Sequence, residues 1–106
     1  MTDLAREERL LIDGELRAAT GGGVYDNVNP TTEEVLGTAA DATPADIDAA
    51  IGGARRAFDE TEWSTNTAFR VECLRQLHAA LLDHTDDLTE ITIAEVGAPR
   101  SACASV

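Results

Sequence analysis

The period of apolar residues changes once in this chain, at Thr43-Pro44, and that change limits the fold more than any other feature. Before it, short apolar runs are broken by turn residues every few positions. After it, apolar residues recur at spacings of three and four, which is helical. Strand signals followed by helix signals, without alternation, give an α+β segment: short amino-terminal strands with a hairpin, then three helices. The chain has 106 residues, enough for one modest core and too few for two lobes with a cleft between them.

The strand half reads as follows. Leu10-Leu11-Ile12, Asp13-Gly14 and Glu15-Leu16-Arg17 make a strand, a two-residue turn suited to type I′, and a return strand. Gly21-Gly22-Gly23 is a connection, since a dinucleotide fingerprint needs G-x-G-x-x-G between a strand and a helix and this run leads into a strand. Val24, Asp26 and Val28 alternate with Tyr25 and Asn27 as a strand does, Asn29-Pro30-Thr31-Thr32 turns the chain, and Glu34 to Thr38 forms a further short strand. Residues 1–9 are charged and without period, which predicts a mobile arm.

In the helical half, Thr43 is a good N-cap, Pro44 fits the first helical position, and Asp46 three residues after the cap completes a capping-box pattern. Ile47, Ile51, Ala54 and Phe58 then line one face of a helix from Pro44 to about Glu60. Gly52-Gly53 inside that helix costs about 1 kcal/mol per residue relative to Ala, so another element should pack closely there. A second helix is expected from about Thr67 to Asp83 and a third from about Asp86 to Glu95, with Asp86-Asp87 favourable at its N-terminus. Gly97-Ala98-Pro99 stops it. Residues 100–106 read as a tail without structure.

Composition removes whole classes of function. The formal net charge is −12, and all eight basic residues are Arg. Such a chain is repelled by the phosphates of nucleic acid and by anionic membrane surfaces, and with no Lys it has no Schiff-base or P-loop lysine. No apolar run approaches the roughly 20 residues of a membrane span, and the acidic start is unlike a signal peptide, so a cytoplasmic location is expected. Cys73 and Cys103 cannot build a disulfide framework. Cys73 reads as a small buried hydrophobe in the second helix and Cys103 as a passive thiol in the tail. His78 and His84, six apart, match no zinc spacing and read as solvated or half-buried. From the residues alone, no active site assembles.

The order of the motifs nevertheless carries a resemblance. Leu11-Ile12-Asp13-Gly14-Glu15, Val28-Asn29-Pro30-Thr31-Thr32-Glu33-Glu34-Val35-Leu36-Gly37, Asp46-Ile47-Asp48-Ala49-Ala50, Ala54-Arg55-Arg56-Ala57-Phe58, Trp63-Ser64 and Glu95-Val96-Gly97-Ala98-Pro99 follow one another. The series resembles the amino-terminal part of the NAD(P)-dependent aldehyde dehydrogenases over residues 10–99, and so the start of their α/β fold. It departs from the family at Leu16, where a Trp is common, at Thr61 and Ala98, and at Glu33, which replaces the turn Gly and would carry a strained positive φ.

The resemblance implies an incomplete coenzyme-binding domain. In the family a cysteine thiolate attacks the aldehyde, hydride passes to the nicotinamide of NAD or NADP, and a glutamate-activated water releases the acid. The cysteine, glutamate, oxyanion-binding asparagine and coenzyme motif all belong to later parts of the family's sequence. Neither cysteine here matches, so no catalytic or coenzyme-binding residue is assigned and the chain alone is expected to be inactive. Some members hold a monovalent cation between backbone carbonyls just before N-P and an acidic residue near the E-T-G-K-P segment. The matching positions are Asn27, Val28 and Glu95. A further carbonyl would come from outside these residues, and hard cations need several oxygens. The alternative reading is a small acidic interaction module that pairs with a second copy of itself or with a full-length aldehyde dehydrogenase subunit.

Overall fold

In a computed structural model, which describes residues 6–103, two separate antiparallel strand pairs precede the helices. β1 (Leu10–Ile12) pairs with β2 (Glu15–Arg17), with Leu11 opposite Leu16. The turn between them has positive φ at both central residues, 53° at Asp13 and 80° at Gly14, as a type I′ turn requires. β3 (Val24–Val28) pairs with β4 (Val35–Ala40). An irregularity between Asn27 and Val28 shifts the register, so that Asn27 faces Gly37 but Val28 faces Val35. β4 therefore runs two residues beyond the expected Thr38. Residues 1–5 of the expected arm lie outside the described residues; Glu8, further along it, accepts a hydrogen bond from the Thr38 hydroxyl.

The three expected helices are present as α1 (Pro44–Glu60), α2 (Thr67–Asp83) and α3 (Thr85–Val96). Their boundaries follow local chemistry. Thr43 and Asp46 form the full capping box with Pro44 in the first turn. Asn66 caps α2 by accepting from the Phe69 N–H at 3.0 Å. Gly97 ends α3 in the left-handed region at φ 68°. A 3₁₀ turn at Glu62–Ser64 joins α1 to α2 and places Trp63 edge-on to Phe69.

The tail expectation is corrected. Arg100–Cys103 is a helical turn, α4. Its residues have no apolar period to signal it, and it is held from a distance: the Arg100 guanidinium meets the Glu90 carboxylate at 2.5 Å and holds that carboxyl below its ordinary pKa.

The modest core is also smaller than the patterning suggests. Among the described residues only Ile12 and Ala19 are buried apolar side chains, while Ile47, Ile51 and Phe58 of α1 and Leu74, Leu77 and Leu81 of α2 are exposed. The Cα radius of gyration is 16.7 Å, where a compact chain of this length has about 13 Å. The molecule is a slab of 46 × 37 × 18 Å.

Candidate functional site

Three links tie the strand half of the chain to the helices. The first is Asp46, 1% exposed. Its carboxylate accepts from the Thr43 N–H at 2.9 Å and, across 26 residues, from the Thr20 N–H at 3.0 Å and the Thr20 hydroxyl at 2.7 Å. These donors, the Thr43 N–H first and the Thr20 hydroxyl next, hold the carboxyl far below the usual carboxylate range. The capping role was legible from Thr43-Pro44-Ala45-Asp46. The bond to Thr20 was not, because nothing local marks a partner 26 residues away.

The second link is steric. A Cβ on Gly53 would lie 3.2 Å from Asp13 Oδ1 and 3.3 Å from Asp13 Cβ, so the β1–β2 turn rests on bare helix backbone, and Arg56 pairs with Asp13 at 2.7 Å beside it. This is the close packing that Gly52-Gly53 implied.

The third link contains the candidate cation residues. Asn27 lies at the β3 irregularity and Glu95 in the last turn of α3, and the Asn27 amide donates to Glu95 Oε1 at 2.6 Å. Close by, Gly97 packs on the Asn29-Pro30-Thr31 turn: a Cβ there would lie 3.3 Å from Thr31 Oγ1 and 3.4 Å from Pro30 Cγ. The structure thus brings Asn27 and Glu95 together, with Val28 next in the strand and partly exposed. One carboxylate, with an oxygen already engaged by an amide, is part of a cation shell and not the whole of one. No group of three or more His, Cys, Asp or Glu gathers among the described residues.

The other candidates stay apart. Cys73 on α2 and Cys103 on α4 are half-buried free thiols, and His78 and His84 are exposed. An open groove of about 410 Å³ lies between the end of α2, α3 and α4, with Leu81, Leu82, Leu88, Ala98, Ala102 and Cys103 among its walls. Sequence patterning missed it because α4 carries no periodic signal. The Gly21-Gly22-Gly23 run leads into β3, as expected, and no helix N-terminus follows it. The glycine run therefore does not supply the strand-to-helix turn that cradles a dinucleotide's phosphates.

A sequence profile of the aldehyde dehydrogenase family matches residues 17–105. The chain belongs to the aldehyde dehydrogenase family. It is 34% identical over 99 residues to the putative aldehyde dehydrogenase DhaS of Bacillus subtilis, covering 92% of this chain and 20% of that protein. To the NADP/NAD-dependent aldehyde dehydrogenase PuuC of Escherichia coli it is 33% identical over 97 residues, covering 91% and 20%. Against the NAD+ complex of an aldehyde dehydrogenase from Bacillus cereus it superposes with a TM-score of 0.84 at 33% identity, covering 93% of this chain and 20% of that one. The match lies over the amino-terminal part of the fold. This chain spans about a fifth of the length of the aldehyde dehydrogenases it matches.

The short strand pairs, the capped α1 and the stop at Gly97 are the start of an aldehyde dehydrogenase fold. Outside the Asp13 turn, the one positive φ at a non-glycine among the described residues, 62° at Glu33, falls where the resemblance places the family's turn Gly. The turn holds its shape because the Asn29 side chain accepts from the Thr31 and Thr32 N–H groups at 2.8 and 3.2 Å.

Proposed function

We propose that these residues serve as a scaffold portion of an NAD(P)-dependent aldehyde dehydrogenase and carry out no chemistry themselves. The observation that carries this is the match over the amino-terminal part of the family fold. Cys73 on α2 and Cys103 on α4 are both half-buried free thiols, and neither matches the family's nucleophile in sequence context. In the assembled enzyme this portion positions strands and helices against which the coenzyme-binding core is built. There, the Asn27–Val28 backbone and Glu95 contribute part of a monovalent-cation seat, with the Asn27 amide fixing the Glu95 carboxylate through the 2.6 Å bond.

The test is direct. The purified 106-residue chain, given short aliphatic and aromatic aldehydes with NAD+ or NADP+, should reduce no coenzyme above the blank. Aldehyde-dependent reduction that disappears in Cys73→Ala or Cys103→Ala would overturn the proposal.

A further inference from the structure

We propose that Asp13-Gly14, at the tip of the β1–β2 hairpin, is a site of spontaneous covalent modification: its peptide rearranges to an isoaspartyl linkage, and the seat that α1 offers Asp13 holds the rate down. The reaction turns over no substrate and is independent of the scaffold reading. Its first requirement is an unhindered amide nitrogen after an acidic or amide side chain. Of all the Asp and Asn residues in the sequence, Asp13 alone precedes a Gly. Elsewhere, as in Asp46-Ile47, Asp83-His84 and Asp87-Leu88, the next residue carries a Cβ that crowds the ring that must close.

Water is the only other reactant. The Gly14 nitrogen attacks Asp13 Cγ, an N–Cγ bond closes a five-membered cyclic imide, and the amide hydrogen leaves with the carboxyl hydroxyl as one water. Water then re-enters at either carbonyl. Opening at Cγ restores aspartate. Opening at the backbone carbonyl leaves the main chain running through Cβ and Cγ, with the former backbone carbonyl as a free carboxylate. Nothing is oxidised or reduced.

The structure presents this peptide and restrains it. The Asp13 side chain is 57% exposed, and no atom lies within 4 Å of where a Gly14 Cβ would be, so nothing packs against that side of the turn. On its other side the carboxylate is seated on α1: Arg56 Nη2 meets Oδ2 at 2.7 Å, and Oδ1 and Cγ lie 3.2 and 3.3 Å from where a Gly53 Cβ would be. The imide is uncharged and cannot keep the ion pair, so Arg56 favours the unreacted aspartate over the ring. The isoaspartyl product cannot rebuild the joint. Its main chain is one carbon longer, which the type I′ turn does not accommodate, and its carboxylate sits directly on Cα, short of Arg56. Rearrangement therefore unfastens the hairpin from α1 and leaves the Asp46–Thr20 and Asn27–Glu95 bonds in place.

The experiment stores the 106-residue chain for weeks at physiological temperature and near-neutral pH, then maps it by proteolysis and mass spectrometry. Isoaspartate is read by electron-transfer fragmentation and by methyl labelling with an isoaspartyl carboxyl methyltransferase. Label should accumulate at position 13 ahead of every other Asp, with a minor form one water lighter. Arg56→Gln should raise the initial rate by about two- to fivefold, the range that loss of an exposed ion pair allows. Asp13→Glu, which would have to close a six-membered ring, should leave position 13 unlabelled. The wild-type chain in urea supplies the unrestrained rate without any substitution, and the folded chain should be slower. In the aged protein, hydrogen exchange should quicken at Ile12 and Leu16 while the Thr20 amide keeps its protection. Absence of label at position 13, or label spread evenly over the aspartates, overturns the proposal. Equal rates for the folded chain, the chain in urea and Arg56→Gln overturn the restraint by α1.

Discussion

The seam between the β2–β3 connection and α1 and the face of α2 lie in one small chain and are built in opposite ways. At the seam a single carboxylate, Asp46, is almost wholly removed from water and meets donors from Thr20 and Thr43. Along α2 the leucines stay in water. The same contrast holds elsewhere: Asp13 on Gly53 and Asn27 on Glu95 are close contacts at helix backbone or helix ends, while the apolar face of α1 at Ile47, Ile51 and Phe58 is open. Tertiary order within these residues is thus set largely by polar and steric links, which are directional and fix positions. The apolar faces, which are non-directional and usually drive collapse, have little here to collapse upon.

If that contrast is right, the largest single effect should come from the seam. Asp46→Ala removes the buried acceptor shared by part-buried donors on both sides, and the Thr20 and Thr43 amides should lose hydrogen-exchange protection by about tenfold or more. The same group sets an acid dependence. The folded carboxyl has a pKa below its unfolded value, so its contribution is complete above about pH 3.9 and is lost as the pH falls below that. Asp46→Asn should flatten stability against pH in that window. A wild-type chain whose acid unfolding is unchanged by Asp46→Asn would show that the seam is not what ties strands to helix.

Next in size is Gly53→Val. A Cβ alone at this position would be 3.2–3.3 Å from Asp13, and the two added methyl groups cannot be accommodated unless the β1–β2 turn lifts away. Urea unfolding should report a loss of about 1–3 kcal/mol, typical of overpacking. Gly53→Ala is the sharper control, because its gain in helix propensity of about 1 kcal/mol opposes a milder clash. Asn27→Ala should cost about 1 kcal/mol, one hydrogen bond to a carboxylate with partial solvent access. Its effect should appear as fraying at the end of α3, seen by hydrogen exchange around Glu95.

What was readable in the sequence follows the same division. Caps, turns and stops are local, so Thr43-Pro44, Asp13-Gly14 and Gly97 placed the helix starts, the hairpin and the end of α3 to within a residue or so. Gly53 was readable as a close approach because a glycine pair inside a helix needs a reason, although its partner was not. The links between distant segments were silent: Thr20 looked like part of a connection, and Arg100 like part of a tail, until their partners Asp46 and Glu90 were seen beside them. Asn27 and Glu95 were paired only through the family resemblance, since 68 residues separate them. Periodicity marked an apolar face on α1 at Ile47, Ile51 and Phe58, yet the side of that helix that is buried carries Asp46 and Gly53, because periodicity reports which side of a helix is apolar and not what lies opposite.

The smallest expected effect tests the other half of the comparison. Leu77→Asp places a charge in the middle of α2, a change that would cost several kcal/mol in a packed core. Here the leucine is 54% exposed, so little apolar surface is lost and the new carboxylate stays hydrated. What remains is the lower helix propensity of Asp, and the total for the isolated chain should be within about 0.5 kcal/mol. Thermal unfolding followed by circular dichroism would measure it. A loss above about 2 kcal/mol would mean that Leu77 is buried in solution and the slab closes on itself, making the helix faces as tightly held as the seams. A loss within about 0.5 kcal/mol would show that this leucine is solvated, and that the polar and steric seams, not the helix faces, hold the strands to the helices.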